Sequence, residues 1–272
     1  MTKPTSLLTR SKSVALLALA LSGLFGASPL MAESVDVQLT TAVNNTQHLK
    51  LSYPSPVRLQ QVLADGIANL NQLPLSQELA QKAGYDAQVY WPGAALLVAS
   101  GNPEKKRILG KLSVLSNIWQ DEERQAVINF QALLQNEKIG QRIFNSLDYD
   151  QVRIDLTQNP LISKGITVIL PPRPNSIWVM GAVSKPTEVK WHERLDAQHY
   201  LTQAVPISSS DNSYAWVIQP DGSVEKHPIA YWNKKHMDIA PGAVIYLGFT
   251  SLPNDLDTLN EELINLLRNR TL

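Results

Sequence analysis

The histidines are the first residues of this sequence that can hold a metal ion or move a proton. None of them belongs to a His-Glu-x-x-His motif. The sequence contains no cysteine, which excludes disulfides, a thiol nucleophile and a thiolate metal site. The Gly-x-Ser-x-Gly turn of serine hydrolases is missing as well. We therefore expect no catalytic residues, no metal site and no cofactor. The histidines are His48, His192, His199, His227 and His236.

Three aspartates lie close together in the sequence and offer a different chemistry. Asp148, Asp150 and Asp155 include a pair of carboxylates of the kind that hydrolyses glycosidic bonds. The sequence does not fix their separation, and such charges usually cap helices or face water. Hydrolysis of a polysaccharide by Asp148 and Asp150 therefore stays an alternative, and the interpretation that we favour is a protein that is not an enzyme.

Aromatic side chains and one arginine are stronger candidates for binding. Most tryptophans in small sheets fill the core, so from six tryptophans and eight tyrosines we single out Tyr90, Trp91 and Trp232 as candidates to contact sugar rings. Arg142 stands where a predicted pair of helices rejoins a sheet. An arginine in such a crevice binds a carboxylate or phosphate with two parallel hydrogen bonds. We predict that Arg142 lines a pocket for an anionic glycan or a partner's carboxylate; the alternative is a helix-end arginine paired with Asp148.

The N-terminal segment has the composition of a secretory signal peptide. Basic residues precede an apolar block at 14–25, and Ala32 offers a small residue for cleavage before Glu33. The block is shorter than the roughly 20 residues that a membrane span needs. We therefore expect a cleaved signal peptide at 1–32 and a mature chain in the periplasm. The 24 basic and 24 acidic residues of the full sequence cancel, which indicates no nucleic-acid partner.

The first half of the mature chain, 33–172, mixes strand and helix patterns. Alternation at 34–39 predicts a strand, and apolar spacing at 59–70 predicts a helix. A short helix is expected at Ser76–Ala83. The stretch at about 103–140 carries two apolar stripes, and we expect it to form an antiparallel pair of helices that turns near Asp121.

The second half, 175–250, follows a stiff linker rich in proline. Ile177–Val183 and Thr187–Trp191 predict a hairpin, and a helix is expected at 196–204. The sequence Pro220-Asp221-Gly222 predicts a tight turn between two strands. Strand pair, helix and returning strands are the order of a β-grasp unit, a small mixed sheet wrapped on one helix.

The chain also shows a weak internal repeat. Pro92-Gly93-Ala94 and Pro241-Gly242-Ala243 each introduce an apolar strand, and Gly165 introduces a third. We therefore predict an α+β fold with two β-grasp-like domains at 33–172 and 175–250, and with the helical hairpin inserted in the first.

A C-terminal amphipathic helix is predicted over 253–272. Its polar side carries both signs of charge and little lysine, which argues against direct membrane binding, so we expect membrane contact only through partners. Docking on its own protein and binding of a partner both remain open. The residues expected to form the partner-binding side are Leu256, Leu259, Leu263, Leu266 and Leu267.

Four segments, in order, resemble the GfcC-type capsule-assembly family. They are Tyr90-Trp-Pro-Gly-Ala-Ala-Leu-Leu97, Val179-Met-Gly-Ala-Val183, Tyr231-Trp-Asn-Lys-Lys-His236 and Pro241-Gly-Ala-Val-Ile-Tyr-Leu-Gly-Phe249. The resemblance implies a periplasmic, non-enzymatic accessory protein for assembly and export of capsule or exopolysaccharide. It implies kinship with the soluble-ligand-binding β-grasp modules of outer-membrane polysaccharide export proteins. The expected partner is the export machinery or an anionic glycan, and a stand-alone glycan-binding module is the other alternative.

Overall fold

A computed structural model describes residues 34–43, 48–69, 72, 89–99 and 101–272. The predicted signal peptide at 1–32 and the predicted helix at Ser76–Ala83 lie outside the described residues. Within these ranges, no helix combines the length and the apolar character needed to span a membrane.

The first sheet has five strands, contributed from both ends of the first half of the chain. Its central strands are parallel, and all other neighbours in it are antiparallel. The strands are β1 (Val35–Thr40), β2 (Leu49–Tyr53), β4 (Ala95–Ala99), β5 (Gln141–Ile143) and β7 (Ile166–Ile169), in the order β2-β1-β7-β4-β5. A separate antiparallel pair joins β3 (Val57–Arg58) to β6 (Leu161–Ile162).

The second sheet also has five strands, and it repeats the pattern of the first. The predicted hairpin is present as β8 and β9, and β8 pairs in parallel with the last strand, β12. The strands are β8 (Ser176–Gly181), β9 (Thr187–Lys190), β10 (Tyr214–Ile218), β11 (Val224–Pro228) and β12 (Val244–Leu247), in the order β11-β10-β12-β8-β9.

The two sheets have the same strand order when one list is read backwards. In each sheet the first strand of an N-terminal hairpin, β1 or β8, pairs in parallel with the central strand, β7 or β12. A second antiparallel pair, β4–β5 or β10–β11, completes the sheet. The mixed α+β class and the presence of two sheets are thereby confirmed. The repeated Pro-Gly-Ala sequences, however, do not mark equivalent strands. One precedes β4 and the other precedes β12, whose counterpart is β7, because Pro-Gly is a general turn signal.

Six helices accompany the sheets in the described part of the chain. Helix α1 packs its buried residues Leu59, Val62 and Leu63 into the core of the first sheet. The helices are α1 (Leu59–Ala68), α2 (Pro103–Ile118), α3 (Asp121–Asn136), α4 (Tyr149–Ile154), α5 (Ala197–Leu201) and α6 (Leu259–Leu267).

The stretch that was predicted to form a pair of helices contains α2 and α3. Asn102 caps α2, since its Oδ1 accepts a hydrogen bond from the Glu104 amide at 3.0 Å. The chain reverses at Trp119 and Gln120, and Asp121 takes a left-handed backbone conformation with φ of 48°. Aspartate is among the few residues besides glycine that tolerate this conformation, which explains a turn without Gly or Pro.

The hairpin connects β4 to β5 of the first sheet, but its apolar side belongs to the core of the second sheet. Phe130 of α3 lies 6.2 Å from Tyr246 and 6.3 Å from Phe249, measured between ring centroids. Trp119 contacts Phe249 edge-on at 5.6 Å. Residues Glu33–Leu272 accordingly form one compact unit.

Helix α6 packs on its own chain and is shorter than the predicted 253–272. A 3₁₀ turn, Asn254–Leu256, precedes it, and residues 268–272 continue beyond its end. The partner role of its leucines remains a prediction, and it would require α6 to leave this core. The five predicted leucines, Leu256, Leu259, Leu263, Leu266 and Leu267, are all buried in the core that α6 shares with α2, α3 and the second sheet.

Candidate functional site

Arg142 lies in β5, at the edge of the first sheet, and reaches the turn between β10 and β11. Its Nη1 donates a hydrogen bond to the Pro220 carbonyl at 2.8 Å, and its Nη2 donates to the Ala94 carbonyl at 3.0 Å. Its backbone N–H donates to Asn269 Oδ1 at 2.9 Å. The guanidinium therefore joins elements of the two sheets, and the backbone of Arg142 adds a contact with the segment that follows α6.

A cleft of about 600 Å³ opens beside this guanidinium and contains a second one. The guanidinium carbons of Arg142 and Arg268 lie 5.7 Å and 4.5 Å from the centroid of the Phe144 ring. Arg268 Nε donates to the Gly222 carbonyl at 2.8 Å. Within the described part of the chain, neither arginine forms an ion pair with a carboxylate.

The charge of Arg142 is held in a poorly hydrated place. Burial lowers the pKa of Arg142 to about 10, with Asp221 opposing the shift and the like charge of Arg268 adding to it. Arg142 thus stays protonated at neutral pH, and it keeps N–H groups beyond the two that reach carbonyls. Two cations without a paired carboxylate make the cleft suited to a carboxylate, phosphate or other anion.

Part of the cleft lining depends on a glycine. Gly222 has φ of +85°, and a Cβ placed there would lie 2.5 Å from Cε1 of Phe144. The neighbouring Asp221 is fixed by its own turn, because its Oδ1 accepts from the backbone N–H of Ser223 at 2.8 Å. The predicted Pro220-Asp221-Gly222 turn is therefore present, and it brings an arginine of each half of the chain to one ring.

Two of the three aspartates, Asp148 and Asp155, bind backbone amides of their own segment. Asp148 Oδ1 accepts from the amides of Asp150 and Gln151 at 2.9 and 3.2 Å and caps α4. Asp155 caps the following 3₁₀ turn, and Asp150 lies 3.4 Å from an Arg153 nitrogen. Asp148 and Arg142 both line the cleft, but no ion pair joins them among the described residues. The geometry thus gives the expected caps.

The predicted aromatic residues are divided between different places. Trp91 lines the cleft with Arg142. Tyr90 lies under Arg173 instead, at 6.0 Å from its guanidinium carbon, and burial raises the pKa of its hydroxyl. Trp232 is in a separate, exposed 3₁₀ turn. The structure brings Arg142 and Trp91 together, and the binding role of all four residues remains a prediction.

Sequence reasoning missed Arg268 and Phe144. Phe144 is two positions after Arg142. Because residues i and i+2 of a strand share a face, strand alternation could have predicted that the two side chains lie together. Arg268 gives no local signal, since only the packing of α6 carries it to the cleft. No group of three or more His, Cys, Asp or Glu side chains in the described ranges is arranged to hold a metal ion.

The fold and the cleft together define a class: an α+β protein of two similarly ordered sheets with an arginine-lined cleft between elements of both. Residues 69–173 match the family model "Capsule biosynthesis GfcC, N-terminal", and residues 185–271 match "Capsule biosynthesis GfcC C-terminal". The chain belongs to the GfcC capsule biosynthesis family. The uncharacterized protein YjbG of Escherichia coli (strain K12) is 29% identical over 217 residues, covering 77% of this chain and 89% of the relative.

Proposed function

We propose that this protein is a periplasmic, non-enzymatic accessory factor for assembly and export of capsule or exopolysaccharide, and that it binds an anionic glycan in the Arg142 cleft. Membership of the GfcC family supports the process. The composition of residues 1–32 supports secretion through a cleaved signal peptide. The export machinery is the expected partner. We expect no nucleic-acid partner, and we expect membrane contact only through other proteins.

The observation that carries the binding role is the pair of guanidiniums beside Phe144. Arg142 and Arg268 carry positive charge in a partly desolvated cleft without a paired carboxylate in the described chain. Desolvated charge is costly unless a counter-charge arrives. An acidic sugar supplies a carboxylate for the arginines and an apolar ring face for Trp91.

The strand order supports two β-grasp domains, at 33–172 and 175–250. In each sheet a hairpin is followed by a helix, α1 or α5, and then by strands that return to its first strand. The insertion at about 103–140 connects β4 to β5 in the first sheet. The equivalent strands of the second sheet, β10 and β11, are joined by a tight turn. A duplicated binding module with one enlarged connection fits a role in presenting surfaces.

The test combines export in cells with binding by the purified protein. A strain lacking this protein is complemented with the wild type, with Arg142→Ala or with Arg153→Ala as the matched control, since Arg153 is an exposed arginine outside the cleft. We expect Arg142→Ala to lose surface polysaccharide and glycan binding while the control retains both. If Arg142→Ala retains both, the cleft is not the binding site.

The non-enzymatic part has its own test. Asp148 and Asp155 use their carboxylates as helix caps, which leaves them engaged with backbone amides. We therefore expect no release of reducing ends when purified protein is incubated with the exported polysaccharide. Release that disappears in Asp148→Asn or Asp150→Asn would establish the hydrolase alternative instead.

A further inference from the structure

A second surface begins at the exposed 3₁₀ turn that contains Tyr231 and Trp232. These side chains are 92% and 72% exposed. The turn is nevertheless fixed, because Asn233 Oδ1 accepts from the Ala230 amide at 3.0 Å and its Nδ2 donates to the Ser213 carbonyl at 2.9 Å. Two large rings are thus held in water on a turn anchored at its base, an arrangement that stability alone does not favour.

A depression of about 1070 Å³ lies next along the chain, with residues 235–241 forming one wall. Arg173 also lines the depression, and its guanidinium carbon lies 5.3 Å from the ring centroid of Trp191 and 6.0 Å from that of Tyr90. Trp191 is itself fixed, since Nε1 donates to the Ile239 carbonyl at 2.7 Å. Stacking orients the guanidinium while leaving its N–H groups unused.

The charges around this depression are unevenly paired. Each of its three carboxylates has a neighbouring partner, which is an arginine for one and a histidine for the other two. Arg173 and Lys235, in contrast, form no hydrogen bond or ion pair with any described residue. The paired carboxylates are Glu193 with Arg194 at 3.8 Å, Glu225 with His227 at 2.8 Å, and Asp238 with His236 at 3.0 Å. Two cations therefore remain available to an anionic ligand.

We propose that the Tyr231–Trp232 turn and the Arg173–Lys235 depression form a binding surface for an acidic polysaccharide chain, separate from the Arg142 cleft. The exposed rings pack against the C–H faces of pyranose rings, and the two cations bind carboxylates on the same chain. The turn at 231–236 contains no aliphatic side chain, which disfavours a lipid surface, where leucine or phenylalanine accompanies tryptophan. The proposal takes only its ligand class from the proposed function.

The test measures binding of oligogalacturonides of defined length, and of their methyl esters, to the purified protein by calorimetry. We expect Trp232→Ala and Arg173→Ala each to raise Kd for the acidic form about tenfold, the ratio given by about 1.4 kcal/mol. Trp232→Tyr keeps a ring and should retain most of the affinity. Arg124→Ala, an exposed arginine on α3, is the control and should bind as the wild type does. The ester should bind more weakly and lose its dependence on salt.

Parallel measurements on Arg142→Ala separate this surface from the cleft. Loss of affinity in Arg173→Ala and Trp232→Ala, with Arg142→Ala unchanged, supports the surface and contradicts the cleft. Loss in Arg142→Ala alone supports the cleft and overturns the surface. Equal binding of the acid and the ester, binding only to phosphatidylglycerol vesicles, or no binding by the wild type overturns the assignment of an acidic polysaccharide here.

Discussion

Replacing Arg142 by methionine separates a structural role of this residue from a binding role. The change keeps most of the side-chain length and removes the charge. The fall of the Arg142 pKa from its ordinary value to about 10 corresponds to about 3 kcal/mol in favour of the neutral form. Because the folded pKa lies below the unfolded one, this cost is fully present below about pH 10 and is relieved only as pH rises towards the unfolded pKa. Methionine carries no charge, so the substitution removes this cost of burying a charge at neutral pH.

The opposing loss is that of two hydrogen bonds. Arg142 donates to the carbonyls of Ala94 and Pro220, and each bond from a charged donor contributes about 1.5–3 kcal/mol. The two bonds together are a loss of about 3–6 kcal/mol, which the gain of about 3 kcal/mol offsets in large part. We therefore expect Arg142→Met to lower the free energy of unfolding of the unliganded protein by less than about 3 kcal/mol. Binding of an acidic glycan, in contrast, should weaken at least about tenfold, because the cleft loses a charged donor.

The assay is urea unfolding followed by tryptophan fluorescence, together with calorimetry on oligogalacturonides. Arg58→Met is the matched control, since Arg58 Nη1 also donates to a backbone carbonyl, that of Asn159, at 2.9 Å but outside the cleft. The control should leave glycan binding unchanged. A loss of more than about 3 kcal/mol in Arg142→Met with unchanged binding would show that Arg142 is only a structural clamp between the sheets.

Three further predictions concern the fold and its pH dependence. Phe130→Ala should lower the free energy of unfolding by about 3–5 kcal/mol in urea titrations, whereas Ile128→Ala on the exposed side of α3 should cost about 1 kcal/mol or less. Gly222→Ala should lower the melting temperature through its positive φ and its overlap with Phe144, and Phe144→Leu should restore part of the loss in the double variant. Burial raises the pKa of Glu262, but hydrogen bonds from lysine and arginine outweigh it and lower the pKa overall, so its contribution is present above pH 4.5 and is lost below. The stability difference between the wild type and Glu262→Gln should therefore shrink on acidification, as acid titration of both proteins can measure.

Much of the fold could be predicted from the sequence because it depends on local patterns. The apolar and aromatic residues of Ile177–Val183 and Thr187–Trp191 predicted the β8–β9 hairpin, and the apolar spacing at 103–140 predicted two helices. The Pro220-Asp221-Gly222 turn follows from the backbone preferences of proline and glycine, which need no tertiary contact. The family was inferred from four sequence segments in a fixed order, and a role in capsule biosynthesis was inferred from the family.

The sequence alone also singled out two residues that line the cleft: Arg142 by its position where the helical pair rejoins a sheet, and Trp91 as an aromatic candidate for sugar contact. It did not predict that the helical hairpin of the first half packs on the second sheet. The stripe containing Phe130 shows that one side of α3 is buried, but hydrophobic burial is not directional, so the stripe does not say against which sheet.

The surface against which α6 packs could not be predicted from the sequence either. Its leucine-rich side predicted burial, but the pattern was equally compatible with packing on its own protein and with binding of a partner. The structure places Leu263 in the core shared with α2. The second arginine of the cleft, Arg268, depends on that packing, and so do the contacts of Asn269 with the backbone of Arg142. Local sequence determined which elements form and which sides are apolar. Only tertiary structure decided which elements meet, because contacts between distant segments depend on the shape and charge of both surfaces at once.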